Sequence, residues 1–152
     1  MHAITMLTED HREVERMLDE LEPTTERAVK TRHELFSRLK EALTVHEVIE
    51  EEIFYPALRE HPKAKDLVLE AYEEHDVVDS IMSQLGALPV DDETWGAKAT
   101  VMIENLRHHI EEEEGEMFPT ARKVFERGEL TELGERMAAR RKTAERELAT
   151  AG

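Results

Sequence analysis

The sequence predicts an all-α protein, an up-down-up-down four-helix bundle followed by a short fifth helix at the C-terminus. Three observations predict it. Apolar residues recur at intervals of three and four along most of the chain. Val, Ile, Thr, Tyr and Phe do not gather into the alternating runs that strands require. The 6 Gly and 5 Pro are few, and several of them punctuate the joints between periodic segments.

The first helix carries the seam Ile4, Leu7, His11, Val14, Leu18, Leu21 and closes at Glu22-Pro23, because the residue before a proline is driven out of the helical region. The second is expected to begin near Thr24 or Thr25. Its seam runs through Ala28, Leu35, Leu39, Ala42, His46, Ile49, Glu50, Ile53 and Ala57, and it ends around Glu60-His61-Pro62. The third carries Ala64, Leu67, Ala71, His75, Val78, Met82 and Leu85 and stops between Gly86 and Pro89. Asp91-Asp92 offers a cap for the fourth, which carries Trp95, Ala99, Met102, Leu106, His109, Glu113, Met117, Ala121 and Val124 and is expected to end at Gly128. The fifth (Leu130, Leu133, Met137, Leu148) is more charged and lies against the bundle. The division expected is residues 1–127 for the bundle and 128–152 for the packed helix.

Composition removes several classes of function. Against 20 Lys and Arg stand 36 Asp and Glu, a formal net charge of −16, which argues against a nucleic-acid partner and against an anionic membrane surface. With 0 Cys there is no disulfide framework, thiolate metal site or Cys nucleophile. The start MHAITMLTEDHREVE lacks a basic region and an apolar run, and no stretch approaches the roughly 20 apolar residues of a membrane helix. A cytoplasmic protein, monomeric or weakly dimeric, is the expectation.

The two halves repeat. An offset of 64 pairs His11 with His75, Val14 with Val78 and Leu21 with Leu85; an offset of 63 pairs His46 with His109, Glu50 with Glu113, Tyr55 with Phe118 and Pro56 with Pro119. Each half is a helical hairpin with a His on its first helix and His-x3-Glu-x5-Pro on its second. Residues i and i+4 share a helix face, and the apolar seam turns that face inward. Four imidazoles and two carboxylates therefore meet in the core. Leaving them there unpaired would cost several kcal/mol apiece in order of magnitude, so they bind each other or a cation. Nitrogen and carboxylate donors without sulfur suit iron, manganese or zinc. Two bridging carboxylates, one shared oxygen and four His fill about ten of the roughly 12 positions of two octahedral ions, which leaves about two for a small molecule.

Other residues attract weaker readings. Glu114, at i+5 from His109, rivals Glu113. Glu47 either reaches an open position or lies on the surface. Tyr72, three before His75, serves as a hydrogen-bonding neighbour or extra ligand, or simply packs. Tyr55 lies opposite His46 on an ideal wheel and is expected to pack unless Pro56 bends that turn, but as the counterpart of Phe118 it stays a weak candidate for a hydrogen-bonding neighbour or extra ligand. His2, His33, His61 and His108 fall off the seam and are expected to be solvated. No His-Glu-x-x-His, Glu-x-x-His, phosphate loop or nucleophile elbow is present.

With those residues placed, the chain resembles the hemerythrin-like family, the HHE cation-binding domain, in its bacterial single-domain form with an additional C-terminal helix. The resemblance covers residues 4–125, through the order and spacing of the His and Glu and the Phe/Tyr-Pro endings. It implies that His11, His46, Glu50, His75, His109 and Glu113 hold two non-haem iron ions joined by an oxo or hydroxo bridge, with Glu50 and Glu113 bridging; manganese is the other candidate metal. The oxygen carriers of the family have a further His on the third helix, four residues from the first. Here those positions are Ala71 and Asp79. Carriers also usually place the last carboxylate at i+5. The resemblance thus points away from reversible oxygen carriage and toward binding of dioxygen, peroxide or nitric oxide for iron and oxygen sensing, or toward peroxide breakdown of the catalase type or handling of nitrogen oxides.

Overall fold

The computed structural model describes residues 1–151. Helices α1 (Ala3–Leu21), α2 (Val29–Ile49), α3 (Tyr55–Arg59), α4 (Lys65–Gly86), α5 (Glu93–Glu112), α6 (Phe118–Val124) and α7 (Arg127–Ala151) account for nearly all of it, and no strand occurs among the described residues. Two π-helical turns, Glu50–Phe54 and Glu113–Met117, splice α2 to α3 and α5 to α6. The bundle thus has four long helical rods, with α7 laid across α1 and α2. No helix is long and apolar enough to cross a membrane among the described residues.

Local chemistry explains where the boundaries differ from expectation. The imidazole of His2 accepts the Ile4 N–H at 3.1 Å and caps α1, so His2 has a structural role. Helix α2 starts at Val29, later than expected, because Thr24 is spent on the joint: its hydroxyl donates to the Leu21 carbonyl at 2.7 Å. Buried Arg32 donates to the Thr24 hydroxyl and carbonyl and to the Val90 carbonyl at 2.6 Å, and lies over the Trp95 ring. One guanidinium therefore ties the α1–α2 joint to the α4–α5 joint at one end of the bundle. Asp92 caps α5 through the Thr94 N–H at 2.8 Å. At the other end Phe125 turns extended, which stops α6 at Val124. Gly128 is not that stop: it lies in the first turn of α7. His61, half-buried, meets the Phe125 ring edge-on.

The fifth helix is not short. At 25 residues α7 is longer than any other helix of the chain. Charge on three sides hid its length, since only Leu130, Leu133, Gly134, Met137 and Ala144 are buried. Leu130, Leu133 and Met137 join one apolar cluster with Ile4, Leu7, Phe54, Tyr55, Leu58 and Phe118. A second cluster, with Val14, Leu18, Leu39, Val78, Met82, Trp95, Met102 and Leu106, fills the other end. On every rod the candidate His or Glu falls between residues of the two clusters, as His11 does between Leu7 and Val14.

Helix α7 comes close to the N-terminus at Gly134. A Cβ there would stand 1.9 Å from the Met1 carbonyl oxygen and 2.9 Å from the Ala3 nitrogen. Gly134→Ala is therefore expected to push α7 off the N-terminus and cost about 1–3 kcal/mol, a fall of roughly 3–10 °C in a thermal melt. Gly128→Ala, with open space around it, is expected to be neutral or slightly stabilising. Equal melts for the two variants would contradict this packing.

Candidate metal centre

Four rods each contribute one imidazole to a single buried layer, and the two π turns contribute one carboxylate each. His11, His46, His75 and His109 are 2–6% exposed; Glu50 is 0% and Glu113 2%. Potential ligand atoms of His11, His46, Glu50 and Glu113 lie within 4.8 Å of one another, as do those of Glu50, His75, His109 and Glu113. Two sets of donors therefore share the same two carboxylates. The six residues singled out from the sequence are all in this layer.

All four rings are oriented alike. Each Nε2 points inward: His11 to Glu113 at 3.0 Å, His46 to Glu50 at 3.1 Å, His75 to Glu50 at 3.2 Å and His109 to Glu113 at 3.1 Å. Each Nδ1 donates outward to a further carboxylate: His11 to Glu114 at 2.7 Å, His46 to Asp10 at 2.8 Å, His75 to Glu51 at 2.7 Å and His109 to Glu74 at 2.7 Å. Such an outer carboxylate fixes the tautomer, makes the ring more basic and turns the Nε2 lone pair to the centre. The rival residue Glu114 is thus an outer partner of His11, and Glu113 holds the inner position.

Of the outer carboxylates only Glu114 was singled out from the sequence, as a rival to Glu113; Asp10, Glu51 and Glu74 escaped, although a signal was there. Asp10 and Glu74 immediately precede His11 and His75, and Glu51 and Glu114 immediately follow the inner Glu of each half. They obey the same internal repeat. What hid them is that each pairs with a His on another helix or in the other half, a relation no spacing along one helix reveals.

Tyr55, expected to pack unless Pro56 bent that turn, is also at the centre. Pro56 has no N–H, and its ring would clash with the carbonyl four residues back in an unbroken α-helix. The π turn before it takes up one extra residue, with the Tyr55 N–H bonded to the Glu50 carbonyl, and so turns the following residues by about a quarter to a third of a revolution. The Tyr55 hydroxyl, fully buried, donates to Glu113 Oε2 and lies 3.3 Å from His75 Nε2. In the other half the equivalent Phe118 stacks on His11, with ring centroids 5.7 Å apart. Tyr72 stays outside: its hydroxyl donates to the Glu51 carbonyl at 3.1 Å and its ring meets Tyr55 edge-on. Glu47 is at the edge of the layer beside Glu51 and His75, where burial and the neighbouring carboxylate of Asp79 lift its carboxyl to about 9.

The charges inside the layer respond to one another. Burial opposes a proton on His46, but Glu50 and Asp10 outweigh it and raise the ring to about 10. Burial is likewise outweighed at His75 by Glu50 and Glu51, again to about 10. Glu113 and Glu74 hold His109 well above its ordinary value against the same opposition. Burial raises Glu113, yet His109 and His11 hold it well below the usual carboxylate range. Burial, Glu113 and Glu50 push the Tyr55 hydroxyl well above 10.

The donor set fits a cation better than it fits itself. Both carboxylate oxygens of Glu50 are buried with no well-aligned hydrogen bond, only the 3.1 and 3.2 Å approaches of His46 and His75 Nε2 to one of them, and Nε2 of His46 and of His109 is likewise misaligned with its carboxylate. A buried carboxylate with no hydrogen bond costs several kcal/mol in order of magnitude. A cation between the shared carboxylates would satisfy all four atoms at once.

Tyr55→Phe reproduces the ring that the other half carries and removes only the hydroxyl on Glu113. In protein stripped of metal by a chelator it is expected to lose about 1.5–3 kcal/mol in urea unfolding, since that bond is to a charged group. Tyr72→Phe, whose bond is to a half-exposed carbonyl, is expected to lose about 0.5–1.5 kcal/mol. Equal losses would mean that the Tyr55 hydroxyl is not engaged with the centre.

Comparison with known proteins agrees with this geometry. The family model for the hemerythrin HHE cation-binding domain matches residues 2–121. The uncharacterized protein Rv2633c of Mycobacterium tuberculosis is 35% identical over 113 residues, which are 72% of this chain and 66% of that protein; Mb2666c of Mycobacterium bovis matches to the same extent. The matched region is thus just under two thirds of those relatives' length. A crystal structure of an HHE cation-binding domain-containing protein from Mycobacterium kansasii, described as a homologue of Rv2633c, superposes with a TM-score of 0.84 at 30% identity, covering 97% of this chain and 89% of that one. A bundle of four rods, a matching family model over most of its length and a buried layer of His and Glu converge on one conclusion: this chain belongs to the hemerythrin HHE cation-binding domain family.

Proposed function

We propose that the buried layer holds two non-haem iron ions and that the protein binds dioxygen, or a related small molecule such as peroxide or nitric oxide, in the service of iron and oxygen sensing. The observation that carries this reading is the Glu50 carboxylate, buried with no well-aligned hydrogen bond, between two pairs of inward-facing imidazoles. His11, His46, His75 and His109 would each supply Nε2, and Glu50 and Glu113 would be shared. An iron pair so held supplies Lewis acidity and one-electron redox chemistry at whatever positions the protein leaves open. Residues 1–127 would form the metal-binding unit, with residues 128–152 bracing α1 and α2.

The chain's own part is orientation and exclusion. The four outer carboxylates fix the rings, so the donors need little rearrangement. Phe118, packed on His11 and edge-on to Phe54, makes the wall beside that ring apolar. Ala71, 2% exposed, occupies the position one turn before His75 where a fifth imidazole would stand, and it donates nothing. An oxygen carrier's extra His is thus replaced by a small apolar side chain.

A second reading, disproportionation of hydrogen peroxide to water and dioxygen, draws on Tyr55. Its hydroxyl keeps a proton at Glu113 Oε2, inside the layer and away from water. A buried proton donor at a small-molecule site favours chemistry over simple binding.

The deciding experiment is metal analysis after anaerobic ferrous loading, with the near-ultraviolet spectrum followed as air enters. About two irons per chain, a new band on oxidation and a melting temperature raised by several degrees over chelator-treated protein are expected. Glu50→Gln should lose the second iron and most of the added stability. No bound iron and an unchanged melt would overturn the proposal. Rapid dioxygen release on adding peroxide, lost in His75→Ala, would select the second reading; release no faster than free iron gives would remove it.

A further inference from the structure

The two halves of the layer repeat in sequence, but their surroundings differ in charge. On the side of His11 and His46 both outer carboxylates are neutralised. The Arg12 guanidinium is paired with Glu114, the partner of His11. Arg141 of α7 makes a two-pronged contact with Asp10, the partner of His46, at 2.9 and 2.8 Å. On the side of His75 and His109 the outer carboxylates are Glu51 and Glu74, and no Lys or Arg makes an ion pair with either among the described residues. Acidic groups gather there instead: Glu47 beside Glu51, Asp79 beside Glu47, and Glu112 beside Glu74.

Two features of the chain produce this difference. The residue that repeats Arg12 in the second half is Asp76, of opposite charge. Arg141 has no counterpart at all, because α7 lies outside the repeat and packs on α1 and α2. With Glu15, which shares Arg12, the first side's outer carboxylates and their Arg partners sum to about −1, and Glu51 and Glu74 on the second side sum to about −2. An imidazole whose Nδ1–H donates to a neutralised carboxylate is a weaker donor at Nε2 than one facing a bare carboxylate. The cationic Arg also repels an incoming metal ion directly.

We propose that Arg12 and Arg141 make the two metal positions unequal, so that the position between His75 and His109 fills first and the one between His11 and His46 is held more weakly. Arg141 acts through Asp10 and His46 and is in that sense a positioning residue, by which the C-terminal helix reaches the centre. This inference rests on the two-metal reading above.

Cobalt(II) is the probe. Chelator-treated full-length protein is crystallised with one equivalent, and occupancy at each position is read from anomalous scattering at the cobalt edge; a calorimetric titration gives the two affinities in solution. At one equivalent, His75/His109 is expected to hold the cobalt in at least about fivefold excess. Arg141→Gln and Arg12→Gln should each tighten the weaker position by roughly three- to tenfold and narrow the gap, by removal of one nearby charge. Arg140→Gln removes the same charge from the same helix, but its partners are Glu52 and Glu147, so the gap should stay. Arg12 lies on α1 and is not in α7, so Arg12→Gln tests the charge argument even if Arg141→Gln loosens that helix. Cobalt shared equally between the positions, or a gap that the Arg12 and Arg141 variants leave unchanged, would overturn this inference and leave the two-metal reading standing. No cobalt in the layer would overturn both.

Discussion

The rest of the structure is arranged around one constraint, a polar layer buried across the middle of an apolar bundle. Six ionisable side chains, each 6% exposed or less, sit between two hydrophobic clusters. Water cannot satisfy them there, so the protein must. It does so for the outer face of the layer, where each imidazole Nδ1–H meets a carboxylate. It leaves the inner face open, where Glu50 meets the imidazoles without a well-aligned hydrogen bond. A layer finished on the outside and unfinished on the inside is the physical signature of a site built for a cation.

The two π turns follow from that constraint. Each begins with the inner glutamate and ends just before the residue that precedes a proline. An unbroken α-helix would have carried the proline ring into its own preceding turn. The extra residue resolves the clash and changes the helical phase in mid-rod. One consequence is favourable packing at one end of the bundle for Phe54, Tyr55 and Phe118, all essentially inaccessible to water. Another is that position 55, which a regular helix would turn away from His46, is delivered to the centre.

Duplication explains the symmetry of the centre, and its departures from symmetry are informative. The inner ligand candidates and the outer carboxylates all obey the repeat. Tyr55 against Phe118, and Arg12 against Asp76, do not. These differences place a hydroxyl by His75 and an aromatic wall by His11, a guanidinium on one flank and bare carboxylates on the other. Helix α7 adds to the imbalance, because it packs mainly on the first half, over α1, α2 and the turn after α2, and brings Arg141 to Asp10.

The amino-acid sequence by itself determined the all-helical class, the four rods and the six residues of the inner layer. These are properties of periodicity: a His or Glu placed on an apolar seam at three- and four-residue spacing must face inward, whatever the partners turn out to be. It did not determine the length of α7, whose single buried stripe is thin against a charged background and gains meaning only from the surface it covers. Nor did it determine the partners of the four Nδ1 atoms, which come from other helices. The position of Tyr55 was hidden for a different reason, since a wheel drawn at 100° per residue cannot show where the helix itself changes pitch. Only the tertiary structure decided these, because each depends on how rods distant in sequence meet and not on the order of residues along any one of them.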